Sequence, residues 1–278
     1  MTRKIAFQGA LGAYTHMVVR KLFPEDSVVE CTTFEDTFCA VEDGKADYAV
    51  IPFENSTAGR VPSCHQLFSH TQLHVIQEYY MPIHHCLLAL SGVKIENIKQ
   101  AYGHPHAIPQ CAQTLKKLGI TGVECTDTGV GAAMVADSQL QDTAAIASEL
   151  AAELYGLDIL QKNLQDVDGN TTRFLVLSPE PGLPSVSVPC KTVLFFQVRS
   201  IPAALYKALG GFATNGVNLT KLDSYLEGNT FKIARFFAEI EGHVDDPAVQ
   251  RALEELRFFS EEVRILGTYE RQDPIADK

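Results

Sequence analysis

The sequence predicts an α/β protein in two parts that are joined by a segment rich in proline and serine. Up to about residue 178, short apolar strands alternate with amphipathic helices, as in an α/β domain. After the Pro- and Ser-rich segment, the order strand, helix, strand, strand, helix, strand predicts a ferredoxin-like βαββαβ unit of about 80 residues. We therefore predict one domain at 1–178, a linker at 179–190 and a second domain at 191–278.

The first part opens with a strand at 4–7 and a helix at 13–23 that places apolar residues on one face. Thr33 and Asp36 have the spacing of a capped start for a helix that ends near Gly44. The later elements are a strand at 47–52, a loop at 54–59, a long extended run at 74–90, and strand, turn and helix at 101–118, 123–136 and 144–155. Ligands of such domains bind at loops that follow strands, so the loop at 54–59 is a candidate site.

The second part is compact and its elements follow one another closely. We predict a strand at 191–199, a helix at 202–214, a strand at 217–226, a turn at Gly228 and Asn229, a strand at 231–240, a helix at 246–258 and a strand at 263–269. Asp246 followed by Pro247 is a good start for the second helix. This small fold has many uses and does not by itself fix a function.

Composition excludes several classes of protein. The chain has 278 residues, of which 46% are hydrophobic and 21% charged, so it can bury a core. A net charge of −11 argues against nucleic acid or an anionic membrane as its partner. We expect neither a signal peptide nor a transmembrane helix, because the N-terminal residues lack a long apolar stretch and no apolar run of about 18 residues occurs. The 7 cysteines are scattered without a C-x-x-C pair, which predicts reduced thiols in the cytoplasm.

Histidines and glycines suggest two kinds of ligand site, which we expect to be absent. Neither the adjacent pair His84 and His85 nor His104 with His106 has helical metal-ligand spacing, so we expect no metal. Gly129 and Gly131 begin a dinucleotide-binding pattern, but Met134 occupies its third small position, which argues against a nucleotide.

The segment at 9–15 predicts a different site. It follows the first strand and opens a helix, where glycines permit close approach and free backbone N–H groups bind anions. We therefore expect a carboxylate-binding helix start there.

A turn at 168–170 leads Thr171, Thr172 and Arg173 into an apolar strand. A hydroxyl can donate a proton, and the adjacent guanidinium can hold a carboxylate in a forked pair. The segment therefore suggests chemistry on a small carboxylic acid. An ordinary turn with a surface arginine is the alternative.

Five segments of the first part resemble, in the right order, motifs of prephenate dehydratases. They are FQGALGAYT at 7–15, PFENSTAG at 52–59, HPHAIPQC at 104–111, AAIASELAAELYG at 144–156 and NTTRF at 170–174. Beyond the linker, IPAAL at 201–205 and NLTKLDSY at 218–225 resemble the phenylalanine-binding segments of an ACT domain. The resemblance covers nearly the whole chain.

The resemblance implies a two-lobed catalytic domain like a periplasmic binding protein, with lobes at about 1–80 plus 161–178 and at 81–160, followed by an ACT regulatory domain. The implied reaction converts prephenate into phenylpyruvate, with loss of CO2 and water, in L-phenylalanine biosynthesis. It needs no cofactor and no metal. L-phenylalanine is the implied feedback ligand, and pairing of ACT domains implies a homo-oligomer, either a dimer or a tetramer.

The resemblance also carries over roles for residues. Thr172 is the implied proton donor to the leaving hydroxyl. The implied substrate-binding residues are Ala13, Tyr14, Thr15, Glu54, Asn55, Ser56, Thr57, Gln110, Ser148, Thr171, Arg173 and Phe174. The implied phenylalanine-binding residues are Ala203, Ala204, Leu205, Asn218, Leu219, Asp223 and Ser224.

Some positions depart from the family pattern. His106 stands where a glutamine is usual, Arg60 where a small residue is common, and Ala203 where the tail usually has glycine. Tyr225 and Leu226 replace an Arg-Pro pair, so the resemblance does not fix the strength or the sign of phenylalanine control. Two alternative functions remain open. One is the same chemistry on arogenate, and the other is a non-catalytic module that binds or senses an amino acid.

Overall fold

The structure is a computed structural model that describes residues 2–226 and 234–273. The predicted turn at Gly228 and Asn229 and the start of the strand predicted at 231 lie outside the described residues. The chain forms two compact units. The first contains Met1–Val61 and Tyr79–Phe174, and the second contains Pro62–Glu78 and Leu175–Asp273. Residues 62–78 thus belong with the C-terminal unit, which the sequence did not predict.

The first sheet follows the predicted alternation of strands and helices. Its strands are β1 (Lys4–Gln8), β2 (Ser27–Cys31), β3 (Tyr48–Asn55), β4 (Gly59–Arg60), β5 (His74–Pro82) and β11 (Thr171–Ser178). Their order is β2-β1-β3-β11-β5, with β4 paired to β3. The chain passes from one unit to the other within β5 and β11.

Helices α1 (Tyr14–Leu22) and α2 (Phe34–Glu42) pack against this sheet. The predicted capped start of α2 is confirmed. The Thr33 hydroxyl accepts the Asp36 N–H at 3.0 Å, and the Asp36 carboxylate accepts the Thr33 N–H at 3.1 Å.

The second sheet has the order β10-β6-β9-β7-β8. Its strands are β6 (Cys86–Ala89), β7 (Gln100–Gly103), β8 (Thr121–Glu124), β9 (Thr143–Ala147) and β10 (Asp158–Gln161). The helices of this half are α4 (Ala107–Gln110), α5 (Ala112–Leu118), α6 (Thr128–Ser138) and α7 (Glu149–Tyr155). Two apolar clusters form its core, one with Leu87, Ile146 and Leu115 and one with Leu88, Ala145 and Val135.

The extended run predicted at 74–90 divides into two strands, because the chain changes sheets within it. β5 ends at Pro82 and belongs to the first sheet, whereas β6 begins at Cys86 and belongs to the second. The chain returns to the first sheet between β10 and β11, after Gln161. At the first crossing the Ile83 N–H donates to the carbonyl of Asn170, in the second crossing, at 2.8 Å. The two crossings therefore lie side by side.

The C-terminal unit confirms the predicted βαββαβ order. Its elements are β12 (Cys190–Val198), α8 (Ala204–Thr214), β13 (Leu219–Leu226), β14 (Ala234–Glu241), α9 (Pro247–Phe259) and β15 (Ser260–Glu270). Antiparallel pairing produces the order β13-β14-β12-β15. The core cluster of this unit joins Leu194, Phe196 and Phe236 of the sheet to Phe212 of α8 and Leu253 of α9.

Residues 62–78 pack against aromatic and charged residues of this sheet. They include α3 (Pro62–Leu67) and the first five residues of β5. The Phe68 and Phe237 ring centroids lie 6.0 Å apart, and Lys191 Nζ lies 3.1 Å from a Glu78 carboxylate oxygen. A Cβ at Gly267 would lie 2.0 Å from the Val75 carbonyl oxygen, so only glycine allows this approach. The C-terminal unit therefore covers part of its sheet with an earlier segment of the same chain.

Within the part of the chain that the structure describes, the helices are too short or too polar to cross a membrane.

Candidate active site

Asn55 and Thr172 meet where β3 ends and β11 begins. Asn55 Nδ2 donates to the Thr172 hydroxyl oxygen at 2.9 Å. Asn55 Oδ1 accepts the backbone N–H groups of Thr57 at 2.9 Å and of Ala58 at 2.8 Å, which fixes the orientation of the amide. Because the Thr172 oxygen accepts this hydrogen bond, its own hydrogen stays available for a donor role.

This contact is one end of a line of hydrogen-bonded polar side chains that we call the polar chain. Asn55 Nδ2 lies 2.6 Å from Asn170 Oδ1, and Asn170 Nδ2 lies 2.8 Å from Gln110 Oε1. His85 Nε2 lies 2.9 Å from the same Gln110 oxygen, and His85 Nδ1 lies 2.7 Å from the Tyr14 hydroxyl. In order, its members are Thr172, Asn55, Asn170, Gln110, His85 and Tyr14. It brings together elements of both sheets and both crossings.

The polar chain is uncharged. Burial lowers the pKa of His85, which favours its neutral form at pH 7. Burial also raises the pKa of Tyr14 well above its ordinary value. The chain therefore orients hydrogens without placing a formal charge beside the Thr172 hydroxyl.

Arg173 has a carboxylate of the protein as its partner. Its guanidinium donates to Glu54 Oε1 at 3.0 Å and lies over the rings of Phe53 at 5.7 Å and Tyr80 at 5.8 Å. Only 3% of its surface is exposed, so the alternative of a surface arginine is wrong. The predicted contact with a substrate carboxylate stays a prediction.

The loop after β3 is tied to the residues before β11. Ser56 Oγ accepts the Thr171 N–H at 2.9 Å and donates to the Gly169 carbonyl at 3.2 Å. The Thr57 hydroxyl lies 3.5 Å from Asn170 Oδ1. These bonds hold Asn55 and Thr172 at a fixed separation.

Three backbone N–H groups of the segment at 9–15 have partners within the protein, and the anion site predicted at the start of α1 stays a prediction. The backbone N–H groups of Gly9, Leu11 and Gly12 donate within the protein, to the Cys31 carbonyl, a Glu30 carboxylate oxygen and His16 Nδ1. The loop instead packs against the helices that follow β8 and β9. A Cβ at Gly12 would lie 2.9 Å from Cα and Cβ of Ala151.

Four other predicted substrate residues are buried. Ser148 is fully buried, where its hydroxyl caps α7 by accepting the Ala151 N–H at 3.1 Å and donates to the Gly12 carbonyl at 2.5 Å. The exposed fraction of the residue surface is 3% for Ala13, 7% for Thr15 and 1% for Phe174. The predicted substrate contacts of these four residues stay a prediction.

One C-terminal unit does not bring the predicted phenylalanine-binding residues together. Ala203 precedes α8 and Asn218 follows it, and the 11 residues of the helix separate them by about 15 Å. Asp223 and Ser224 are consecutive in β13 and so point to opposite faces of the sheet. Asp223 lies 3.7 Å from His65 Nδ1 of α3.

Two members of the polar chain were missed as site residues. Asn170 stands at the head of the NTTRF segment, and that position was the available signal. The sequence offers His85 only as a candidate metal ligand, because nothing in the sequence places it beside Gln110. Among the described residues, no three His, Cys, Asp or Glu side chains group as metal ligands.

Comparisons with known proteins agree over most of the chain. The sequence model of the family "Prephenate dehydratase" matches residues 5–182. A bifunctional N-acyl-homoserine lactone acylase/prephenate dehydratase of Komagataeibacter europaeus is 42% identical, over 96% of this chain and 95% of its own. Arogenate dehydratase/prephenate dehydratase 1 of Arabidopsis thaliana is 40% identical, over 96% of this chain and 71% of its own.

Among solved structures, the prephenate dehydratase of Arthrobacter aurescens in complex with L-Phe superposes with a TM-score of 0.89 at 28% identity, covering 98% of this chain and 92% of that one. The enzyme of Staphylococcus aureus, at 20% identity and a TM-score of 0.81 over 96% of this chain and all of that one, shares the mixed α/β fold.

Proposed function

The chain belongs to the prephenate dehydratase family and is a dehydratase, a carbon–oxygen lyase, and we propose that Thr172 is the proton donor of its reaction. Prephenate becomes phenylpyruvate, CO2 and water. The carbon–carbon bond to the ring carboxylate breaks, and its electron pair enters the ring. The ring becomes aromatic as the carbon–oxygen bond breaks, and the leaving hydroxyl takes up a proton to become water.

The Asn55 amide is the observation that carries this assignment. Its Nδ2 donates to the Thr172 oxygen, so the Thr172 hydrogen is free to donate to the leaving group. A threonine hydroxyl is a weak acid, and therefore its position and the donor on its oxygen matter more than its pKa. The Asn55 N–H would stabilise the negative charge that develops on this oxygen.

Substrate preference is the next part of the proposal. Prephenate and arogenate differ only in a keto group versus an amine, and relatives named for both activities match the chain. We propose prephenate as the main substrate, handled without metal or cofactor. Phenylpyruvate absorbs in the ultraviolet in alkali, so its formation from prephenate can be followed directly, and phenylalanine formation from arogenate can be measured beside it.

Three results of that experiment separate the candidates. Faster turnover of prephenate supports the proposal, and faster turnover of arogenate replaces prephenate as the substrate. Binding of either compound without product would indicate a sensor module.

Activity that survives dialysis against a chelator is expected, and activity lost with metal removal would contradict the cofactor-free reaction.

The name of the Komagataeibacter relative also includes an acylase activity. The family model that matches residues 5–182 of this chain is that of prephenate dehydratases. We therefore propose the dehydratase activity.

The C-terminal unit is proposed to be an ACT domain that binds L-phenylalanine, and the complex of the Arthrobacter prephenate dehydratase with L-Phe supports this ligand. Ala203, Ala204 and Leu205 lie at one end of α8, and Asn218 and Leu219 lie beyond the other. A site that uses both groups therefore needs two copies of the chain. Strands β13 and β15 are the sheet edges at which a homo-oligomer, a dimer or tetramer, can pair.

The cell compartment is proposed to be the cytoplasm. All 7 cysteines are free thiols in the structure, and five of them are buried, namely Cys31, Cys64, Cys86, Cys111 and Cys190. The acidic net charge supports a protein without nucleic-acid or membrane partners.

A further inference from the structure

The direction of hydrogen donation along the polar chain is set at one point by the backbone. Asn55 Oδ1 accepts two backbone N–H groups, and a backbone N–H can only donate. Asn55 must therefore donate through Nδ2, both to Thr172 and to Asn170. The fixed orientation of Asn55 also determines the orientation of the other side-chain amides in the polar chain.

Each following bond is then determined by the one before it. Asn170 accepts through Oδ1, so its Nδ2 donates to Gln110 Oε1. The same Gln110 oxygen faces His85 Nε2 at 2.9 Å, so this nitrogen must carry a hydrogen. In a neutral imidazole, Nδ1 is then the acceptor, and the single hydrogen of the Tyr14 hydroxyl is shared between this nitrogen at 2.7 Å and the His84 carbonyl oxygen at 3.0 Å.

We propose that His85 is a positioning residue of the dehydration reaction, and that its Nε2–H tautomer holds Gln110, Asn170 and Asn55 in the orientation that leaves the Thr172 hydrogen free for the leaving group. This inference rests on the proton-donor role of Thr172 proposed above. The opposite tautomer would set the lone pair of Nε2 against the Gln110 oxygen. Gln110 would then turn its amide, and Asn170 would face a donor where it now has an acceptor.

The surroundings of His85 hold the ring in place for this role. The residue is 2% exposed, and its backbone N–H donates to Gln165 Oε1 at 3.0 Å. The Tyr14 ring meets the imidazole edge-on, with centroids 5.5 Å apart. The imidazole is therefore fixed from the backbone side and from both nitrogens.

Two substitutions separate the hydrogen bond from the volume of the ring. His85→Phe keeps a planar ring but removes the donor to Gln110. His85→Gln keeps an N–H near the position of Nε2. We expect His85→Phe to lower kcat on the order of 10- to 100-fold with little change in KM, as for a misplaced catalytic group. We expect His85→Gln to recover most of that loss. His84→Gln, at the exposed neighbouring histidine, is the control and should keep full kcat.

The same substitution in a Thr172→Ala background tests whether His85 acts through Thr172. If it does, His85→Phe costs nothing further once the hydroxyl is gone. A second loss of the same size in that background would overturn the proposal, because it would indicate a general structural effect. Full kcat in His85→Phe would overturn it as well.

The tautomer can be read without any activity. In protein carrying 15N-labelled histidine, the Nδ1 and Nε2 shifts of His85 should report a neutral ring with hydrogen on Nε2, assigned by the signals that vanish in His85→Gln. Hydrogen on Nδ1 would overturn the proposal even if His85→Phe fails to fold. An unchanged kcat in Thr172→Ala alone would instead count against the proton-donor role, so the two failures are distinguishable.

Discussion

Thr172 and Arg173 are neighbours in the chain, yet they have different partners. Successive residues of a strand point to opposite faces, and the same alternation holds for Glu54 and Asn55 of β3. Thr172 accordingly contacts Asn55, whereas Arg173 contacts Glu54. In this structure the hydroxyl and the guanidinium therefore have separate partners, and Arg173 links β11 to β3 through Glu54.

The role of Thr172 makes a direct prediction. Thr172→Ala removes the hydroxyl but little volume, so the fold should persist and kcat should fall by roughly 10²- to 10⁴-fold, while KM changes much less. Thr172→Ser restores a hydroxyl at the same place and should recover a large part of kcat. Steady-state rates with prephenate measure both variants. Equal rates for wild type and Thr172→Ala would move the role to another hydroxyl, Thr171 first.

Asp127 offers a prediction about pH. Its carboxylate caps α6 by accepting the Gly129 N–H at 2.7 Å, and burial raises its pKa above the ordinary value of 3.8. A raised pKa means that the folded state holds the proton more tightly. The stabilisation that protonated Asp127 contributes is therefore fully present below the ordinary pKa of 3.8, and it is lost as pH rises through the pKa of the folded state.

Asp127→Asn keeps a capping oxygen but cannot ionise. Wild type should lose stability as pH increases from about 4 to about 7, because Asp127 ionises in this range, whereas the asparagine side chain does not titrate. The free energy of unfolding of Asp127→Asn should therefore rise relative to that of wild type over this range. Urea unfolding at several pH values measures the difference. A difference that is constant over that range would mean that the carboxylate is not destabilised by burial.

At the scale of elements, the loop between β1 and α1 joins the two sheets of the first unit. The Ser148 hydroxyl donates to the carbonyl of Gly12, and the Tyr155 hydroxyl donates to that of Leu11 at 3.0 Å. Gly12 has φ of +84° and lies against the backbone of α7. Glycine is required there twice, by the backbone conformation and by the close approach.

Gly12→Ala should therefore destabilise the protein more than backbone strain alone explains. Gly44 is a matched control, with φ of +70° and no atom within 4 Å of the position that a Cβ would take. We expect Gly44→Ala to cost about 1–2 kcal/mol from the left-handed conformation, and Gly12→Ala about 1–3 kcal/mol more from the collision with Ala151. Urea unfolding measures both. Equal losses would contradict the close contact between the loop and α7.

At the scale of the whole molecule, the proposed phenylalanine response depends on two copies of the chain. Titration of L-phenylalanine should release or absorb heat at concentrations up to about millimolar and should change dehydratase activity in parallel. L-alanine is the matched ligand control, and light scattering should show at least a dimer. Absence of binding at millimolar L-phenylalanine would make the tail a purely oligomerising unit.

Residues 62–78 suggest a route for that response other than the Pro- and Ser-rich linker. The Tyr225 hydroxyl lies 2.5 Å from Nδ1 of His65 in α3. In the chain, α3 follows β4, and Gly59 of β4 pairs with Asn55 of β3. Tyr225→Phe removes the hydroxyl and keeps the ring. It should leave the heat of phenylalanine binding intact but reduce the change in activity. A full response of activity would assign the coupling to the linker.

Local pattern sufficed for much of this protein. Four features depend on neighbours within a few residues and could therefore be predicted from the sequence. They are the capping box of α2, the alternation of strands and helices, the βαββαβ order and the ordered motifs around Asn55 and Thr172. The cover that residues 62–78 provide and the partners of Arg173 and His85 depend on contacts between distant segments. Only the tertiary structure decided those, because packing and hydrogen bonding are satisfied by whichever groups the fold brings together.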